Sequence, residues 1–106
     1  MVIKDFTNTN FVVLSHLYDE KNNENVIKTT QDEVADNLQL SRVTINKAFA
    51  LFVQNGYLQR DVKHVGRYYI TDLGCKVVET IRTLSVEANI VSAKEKFIVQ
   101  TYFKEK

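Results

Sequence analysis

Apolar residues recur at helical spacing near the beginning of the chain. The apolar positions three and four apart predict a helix that starts at Thr9 or Asn10: Phe11, Leu14, Leu17 and Tyr18. The polar stretch 19–25 then predicts a loop, and Val26-Ile27-Lys28 predicts a short strand. We expect the helix to close the core over the elements that follow.

A second, shorter helix is predicted after Thr30, because its N-terminus carries a capping signal. Thr30 and Glu33 have the spacing of a capping box, in which the hydroxyl accepts from the Glu33 N–H and the Glu33 side chain reaches back to Thr30. Val34, Ala35 and Leu38 follow as one apolar stripe.

A third helix is predicted after a tight turn at Gln39-Leu40, with Leu40 as the buried plug of the turn. Ser41 is expected to cap this helix by accepting from an N–H of its first turn. Gly56 stands just past the last periodic residue, where a left-handed conformation costs least. The inward face of the helix is predicted from its apolar residues: Ile45, Ala48, Phe49 and Phe52.

Two β-prone runs follow the third helix, at residues 57–60 and 67–70. The six residues between them are mostly polar and include Gly66, which predicts a hairpin tip. The order helix, turn, helix, hairpin is that of a helix-turn-helix (about residues 30–55) followed by a wing (about residues 57–70). We therefore expect a mainly α fold with a small β-wing, in a single domain of residues 1–106.

The face of the third helix opposite to its apolar residues carries side chains that can bind. These residues are Ser41, Arg42, Val43, Asn46, Lys47 and Ala50. Arginine, asparagine and serine at the N-terminal end of such a helix can bond to base edges or phosphates, and Val43 could meet a thymine methyl group.

The charge of the chain is distributed unevenly. The segment from Ser41 to Arg67 holds five Lys or Arg and one acid, a net of 5 − 1 = +4, whereas the rest holds nine and twelve, a net of 9 − 12 = −3. The total of +1 hides this asymmetry. Runs of charge usually only solvate a surface, but these coincide with the third helix and the wing, so we favour contact with DNA. The five cations are Arg42, Lys47, Arg60, Lys63 and Arg67.

The C-terminal third has a heptad-like pattern of apolar residues. Thr71 or Asp72 is expected to cap a long helix of about residues 72–104, whose seam is Leu73, Val77, Ile81, Leu84, Ala88, Val91, Ile98 and Tyr102. From Leu73 to Ile81 we expect packing mainly on the same domain. Beyond Leu84 the stripe outlasts so small a core, which predicts a homodimer. The expected interface residues are Ile81, Leu84, Ala88, Val91, Ile98 and Tyr102. The segment 96–103 could also form a strand, and helix is favoured only because the seam continues through it.

Catalysis is not expected from this composition. Two distant histidines, His16 and His64, one cysteine and no glycine-rich phosphate loop provide no catalytic set, and no cofactor or metal site is expected. Cys75 allows no intrachain disulfide, so we expect a cytoplasmic protein in which this thiol is a small buried hydrophobe. No apolar run approaches the ~20 residues that span a bilayer, so no membrane contact is expected.

A series of short motifs lies between Lys28 and Thr80, about half of the chain: Leu40-Ser41, Thr44-Ile45, Phe52, Gly56-Tyr57, Val65-Gly66-Arg67, Tyr69, Asp72-Leu73-Gly74 and Val77-Val78-Glu79. In these motifs the sequence resembles the TubR-like centromere-binding proteins of tubulin-type plasmid and phage partition systems. Much of this pattern is shared by winged-helix regulators in general, including the MarR and ArsR groups.

The resemblance implies a dimeric winged-helix protein that coats repeated double-stranded DNA sites, connects them to filaments of a tubulin-like GTPase (TubZ), and represses its own operon. Ser41, Arg42 and Thr44 match the N-terminal end of the DNA-inserting helix in this family, and Arg67 matches its wing arginine. Helix geometry, the wing and the charge pattern add Val43, Asn46, Lys47 and Lys63 to the candidate DNA-binding set.

Two other functions are compatible with the same pattern. One is a MarR-like transcriptional regulator whose affinity for DNA responds to a small ligand. The other is a winged-helix module that binds only protein, against which the basic segment argues.

Overall fold

The computed structural model describes the backbone of residues 9–87 and the side chains of residues 9–83. The elements in chain order are α1 Thr9–Glu20, β1 Val26–Lys28, α2 Gln31–Leu38, α3 Arg42–Gln54, β2 Leu58–Arg60, β3 Arg67–Ile70 and α4 Asp72–Glu87. The strands form one antiparallel sheet in the order β1-β3-β2. This mixed fold, mostly helical with a small sheet, is compatible with the predicted helix-turn-helix and wing. The strand predicted at Val26–Lys28 pairs with β3.

The core draws on every helix and every strand of this region. The third helix contributes most, because Ile45, Ala48, Phe49 and Phe52 are fully buried, as their spacing predicts. The ring of Phe49 meets the ring of Tyr68 edge-on, with 5.0 Å between the centroids, so α3 packs directly on the sheet.

The caps predicted for α2 and α3 are both present. The Thr30 hydroxyl accepts from the Glu33 N–H at 3.1 Å, and the Ser41 hydroxyl accepts from the Thr44 N–H at 3.1 Å. The second half of the predicted capping box is different. The Glu33 carboxylate accepts from the Thr30 hydroxyl at 3.3 Å rather than from the Thr30 backbone.

The two helix ends in this motif use left-handed residues. Gln39 has φ 55°, and the Leu40 N–H donates to the Ala35 carbonyl at 3.0 Å. Gly56 has φ 79°, and the Tyr57 N–H donates to the Phe52 carbonyl at 2.8 Å, which closes a Schellman motif. Leu40, predicted as a buried plug, is only partly buried against the core.

The start of α4 is fixed against the loop that follows α3. The Thr71 hydroxyl accepts from the Gly74 N–H at 3.0 Å and donates to the Gly56 carbonyl at 2.6 Å, so Thr71 rather than Asp72 is the cap. A Cβ on Gly74 would collide with the carbonyl oxygen of Tyr57, so α4 approaches this loop as closely as a glycine permits.

The buried side of α4 differs from the predicted seam. Val77, Val78 and Ile81 are buried, whereas Leu73 is 49% exposed. Ile81, which the sequence pattern assigned to a dimer interface, is only 1% exposed within the single chain, so its side chain lies in the core of this chain. Val78 is fully buried and Leu73 is not, so the buried stripe of α4 is rotated relative to the predicted seam.

The rest of the predicted C-terminal helix and interface lies outside the described part of the chain. The side chain of Leu84 is not described, and neither are Ala88, Val91, Ile98, Tyr102 and the segment 96–103. The homodimer and the helix extending to residue 104 therefore stay predictions. Within residues 9–87, none of the helices has the length and apolar character needed to cross a membrane.

Polar side chains join α1 to α4 at the surface. The Arg82 guanidinium donates to the Asp19 carboxylate at 3.0 Å and to the Ser15 carbonyl at 3.3 Å. The Tyr18 hydroxyl donates to Glu79 Oε2 at 2.7 Å, and the Arg82 guanidinium lies 5.0 Å from the centroid of the Tyr18 ring. The hydrogen bond to the Glu79 carboxylate favours the neutral phenol and raises the pKa of Tyr18 above 10.0.

Candidate nucleic-acid interface

The outward face of α3 presents most of the predicted DNA-binding residues to solvent. Arg42, Asn46 and Lys47 are exposed, and Val43 is 63% exposed, so the face offers an apolar side chain as well as polar ones. The burial of Ile45 on the opposite side fixes this orientation of the helix.

Ser41 and Thr44 have a second role at the start of α3. The Ser41 hydroxyl donates to the Thr44 hydroxyl at 2.8 Å while it accepts from the Thr44 N–H. Thr44 is half-buried and Ser41 is exposed. The Ser41 hydroxyl is therefore engaged in capping the helix, the Thr44 hydroxyl is bonded to it, and of the two residues only Ser41 lies openly at the surface.

An acidic residue that the sequence analysis did not single out lies beside the predicted DNA-binding arginine. Arg42 Nε is 2.6 Å from Asp32 Oδ1, and both side chains are exposed. The ion pair joins the start of α2 to the start of α3 across the turn. It engages the guanidinium through Nε, one of the N–H donors that a guanidinium can use to bind a phosphate or a base edge.

The wing is organised around one carboxylate. Asp61 Oδ1 accepts from the Lys63 N–H at 2.9 Å, Oδ2 accepts from the Tyr69 hydroxyl at 3.3 Å, and His64 Nδ1 lies 3.1 Å from Oδ2. Arg67 Nη1 is further away, at 3.9 Å. The hydrogen bond from the Lys63 N–H, assisted by His64 and Tyr69, holds the pKa of Asp61 below its ordinary value of 3.8 although partial burial opposes this.

The N-terminus of α2 connects the wing to Arg42. The Thr29 N–H donates to the Gly66 carbonyl at 2.9 Å, and the methyl of Thr30 lies 3.6 Å from the position of a Cβ on Gly66. Thr30 then caps α2, whose second residue, Asp32, pairs with Arg42. The base of the wing and the start of α3 therefore adjoin the same short helix end.

Sheet pairing adds a cation that sequence reasoning missed. Lys28 lies directly opposite Arg67 in the β1–β3 pair, and its side chain is exposed. Residues opposite each other in an antiparallel pair are about 5 Å apart and point to the same face. No local signal marks Lys28, because the pairing joins residues far apart in the chain. Arg60, also exposed, ends the strand that leads to the wing tip.

Among the side chains of residues 9–83, no group of three or more His, Cys, Asp or Glu is placed to hold a metal ion. Cys75 is half-buried, and burial raises the pKa of its thiol above 9.0. His16 Nε2 lies 3.6 Å from Glu20 Oε1 on the surface of α1.

Comparisons of the chain with protein-family models, with curated proteins and with solved structures found no match.

Proposed function

We propose that this protein binds double-stranded DNA in a sequence-specific manner through α3 and the β2–β3 hairpin. The observation that carries the proposal is the division of α3 into two faces. Ile45, Phe49 and Phe52 are buried, and the opposite face offers Arg42 and Lys47 to solvent. A helix held in this way by its apolar side can enter a major groove with its polar side.

The distribution of charge supports the same surface. The segment from Ser41 to Arg67 has a net charge of +4, and Lys28 adds a further cation opposite Arg67. The phosphate backbone attracts such a surface, and the release of counterions makes the binding depend steeply on salt. Asn46 and Val43 on α3 provide contacts of the kind that distinguish bases: an amide for adenine and an apolar group for the thymine methyl.

The biological role that we propose is that of a centromere-binding adaptor of a plasmid or phage partition system and a repressor of its own operon. The resemblance of residues 28–80 to TubR-like proteins supports this role. On the same basis, we propose that the protein acts as a homodimer on repeated sites and that a tubulin-like GTPase is its partner. Leu84, Ala88, Val91, Ile98 and Tyr102 are the proposed dimer contacts.

A binding titration tests the proposal directly. A labelled duplex of the DNA upstream of the gene, where we expect the repeated sites (the repeat duplex), and a shuffled duplex of equal length are titrated with the protein by fluorescence anisotropy, at about 50 mM and about 200 mM salt. We expect the repeat duplex to bind at least about 1,000-fold more tightly than the shuffled one at the higher salt. Equal affinity for both duplexes at the higher salt would contradict the proposal of sequence-specific binding.

A further inference from the structure

We infer that Asp61 is a positioning residue for DNA binding, which holds the wing tip in the conformation that presents Lys63, His64 and Arg67 to the phosphate backbone. This inference depends on the proposed function, because the effect of changing Asp61 is measured as a change in affinity for DNA. Asp61 itself touches no DNA in this arrangement and acts through the residues around it.

The tip has no apolar anchor of its own. Val62 is 95% exposed and Val65 is 104% exposed, so neither packs on the core. Burial of apolar surface is the usual source of order in a protein. The conformation of the tip must therefore come from polar contacts and from the strands that enter and leave it.

Asp61 supplies those polar contacts from both of its carboxylate oxygens. Oδ1 accepts from the Lys63 backbone at 2.9 Å and so fixes the turn. Oδ2 accepts from the Tyr69 hydroxyl on β3 at 3.3 Å and faces His64 Nδ1 at 3.1 Å. The Asp61 side chain is only 12% exposed, although it lies on a hairpin. The Asp61 side chain thus connects the turn at Lys63 to Tyr69 on β3.

Backbone hydrogen bonding places Asp61 opposite Arg67. The Asp61 N–H donates to the Arg67 carbonyl at 3.1 Å, which extends the ladder of β2 and β3 by one residue. Arg67 in turn lies opposite Lys28 on β1. The carboxylate is therefore next to Arg67, with Lys28 on the strand beyond it, and Asp61 is the only acid between Ser41 and Arg67.

Two possible roles of Asp61 predict opposite changes in DNA affinity when its carboxylate is removed. If Asp61 acted only as a negative charge near DNA, its removal would strengthen binding. If it orders the wing, its removal weakens binding, because the cations must then be ordered at the moment of association. The sign of the effect therefore distinguishes the two roles.

The test uses the full chain and measures DNA affinity and its salt dependence for Asp61→Asn, Tyr69→Phe and the control Asp36→Asn. Asp36 is an exposed acid on α2, so its variant reports the removal of one charge. We expect Asp61→Asn to bind DNA about fivefold to tenfold more weakly than the wild type. The slope of log K against log salt concentration should be smaller in magnitude by about 1 for every phosphate that the wing no longer binds. Tyr69→Phe, which changes no charge, should weaken binding by about twofold to fivefold.

A second measurement separates an action through the wing from a general loss of structure. In a Lys63→Ala/Arg67→Ala background, Asp61→Asn should cause a much smaller loss of affinity, because two of the three residues through which it acts are gone. Hydrogen exchange of the Lys63 amide in the protein without DNA should be faster in Asp61→Asn, while the amides of α3 keep their rates.

The outcomes distinguish this inference from the proposed function. Wild-type protein that binds no DNA overturns the proposed function and this inference with it. Wild-type protein that binds DNA, together with Asp61→Asn that binds equally or more tightly, overturns this inference alone. An effect of Asp61→Asn that persists fully in the double-cation background also overturns it.

Discussion

Arg42 Nε lies 2.6 Å from Asp32 Oδ1, so the arginine that we propose to contact DNA is already paired with an acid of the neighbouring helix. Both partners are exposed, and exposed pairs of this kind contribute only about 0–1 kcal/mol to the free energy of unfolding. The pair therefore has a small effect on stability, but it competes with phosphate or a base for the same guanidinium.

Asp32→Asn should strengthen DNA binding. The substitution removes the competing carboxylate and one negative charge beside the interface, and we expect affinity to rise by about twofold to fivefold at low salt and less at high salt. Anisotropy titrations at two salt concentrations provide the measurement. Asp36→Asn on the same helix is the control and should have a smaller effect. Weaker binding by Asp32→Asn would show instead that the pair prepares Arg42 for DNA.

Lys47→Ala should weaken DNA binding, whereas Lys76→Ala should not. Both lysines are exposed on helices, but Lys47 is on the outward face of α3 and Lys76 is on α4. If Lys47 contacts one phosphate, its removal lowers affinity for all sequences and reduces the slope of log K against log salt by about 1. Both variants should keep the free energy of unfolding within about 0.5 kcal/mol of the wild type. Equal binding by the two variants would contradict the proposed interface.

The features that the sequence predicted well are those set by neighbouring residues. The caps at Thr30 and Ser41, the buried face of α3 and the left-handed residue at Gly56 each depend on a window of a few residues. Side-chain chemistry and helical periodicity act within such a window, so a single sequence contains the information. The exposure of Arg42 and Lys47 follows from the same periodicity.

The features that the sequence did not predict join residues that are distant in the chain or depend on angles between elements. The Asp32–Arg42 pair requires the angle at which α2 meets α3, and the Lys28–Arg67 pair requires the pairing of β1 with β3. The helical periodicity of α4 also did not predict which of two adjacent apolar stripes is buried. Val78, which the seam omitted, is fully buried and Leu73 is half exposed, and on this side of α4 Gly74 lies against the carbonyl of Tyr57, a contact between distant residues that periodicity does not encode.

Gly74→Ala should destabilise the protein despite placing a better helix former in α4. Its Cβ would collide with the backbone of Tyr57, which cannot move without shifting the loop after α3. We expect a net loss of about 1–2 kcal/mol in the free energy of unfolding, because overpacking costs up to about 3 kcal/mol and helix propensity offsets only about 1 kcal/mol of it. Urea unfolding measures the difference. Lys76→Ala, at an exposed position of the same helix, is the control and should leave the stability nearly unchanged. An unchanged or higher stability of Gly74→Ala would show that α4 can move away from the loop.

Stability should fall in alkaline solution, partly through two groups at the junction of α1 and α4. Folding raises the pKa of Tyr18 above 10.0, chiefly through its hydrogen bond to Glu79, and raises that of Cys75 above 9.0, chiefly through burial. Above these ordinary values the unfolded chain binds fewer protons than the folded one, so the free energy of unfolding decreases as pH rises. The stabilisation from both groups is complete below about pH 9 and is lost as pH passes their folded pKa values. Urea unfolding at about pH 8 and about pH 10.5 should therefore show a smaller loss in Tyr18→Phe and in Cys75→Ala than in the wild type. Equal losses in all three proteins would mean that neither group changes its pKa on folding, and that the hydrogen bond between Tyr18 and Glu79 does not persist in solution.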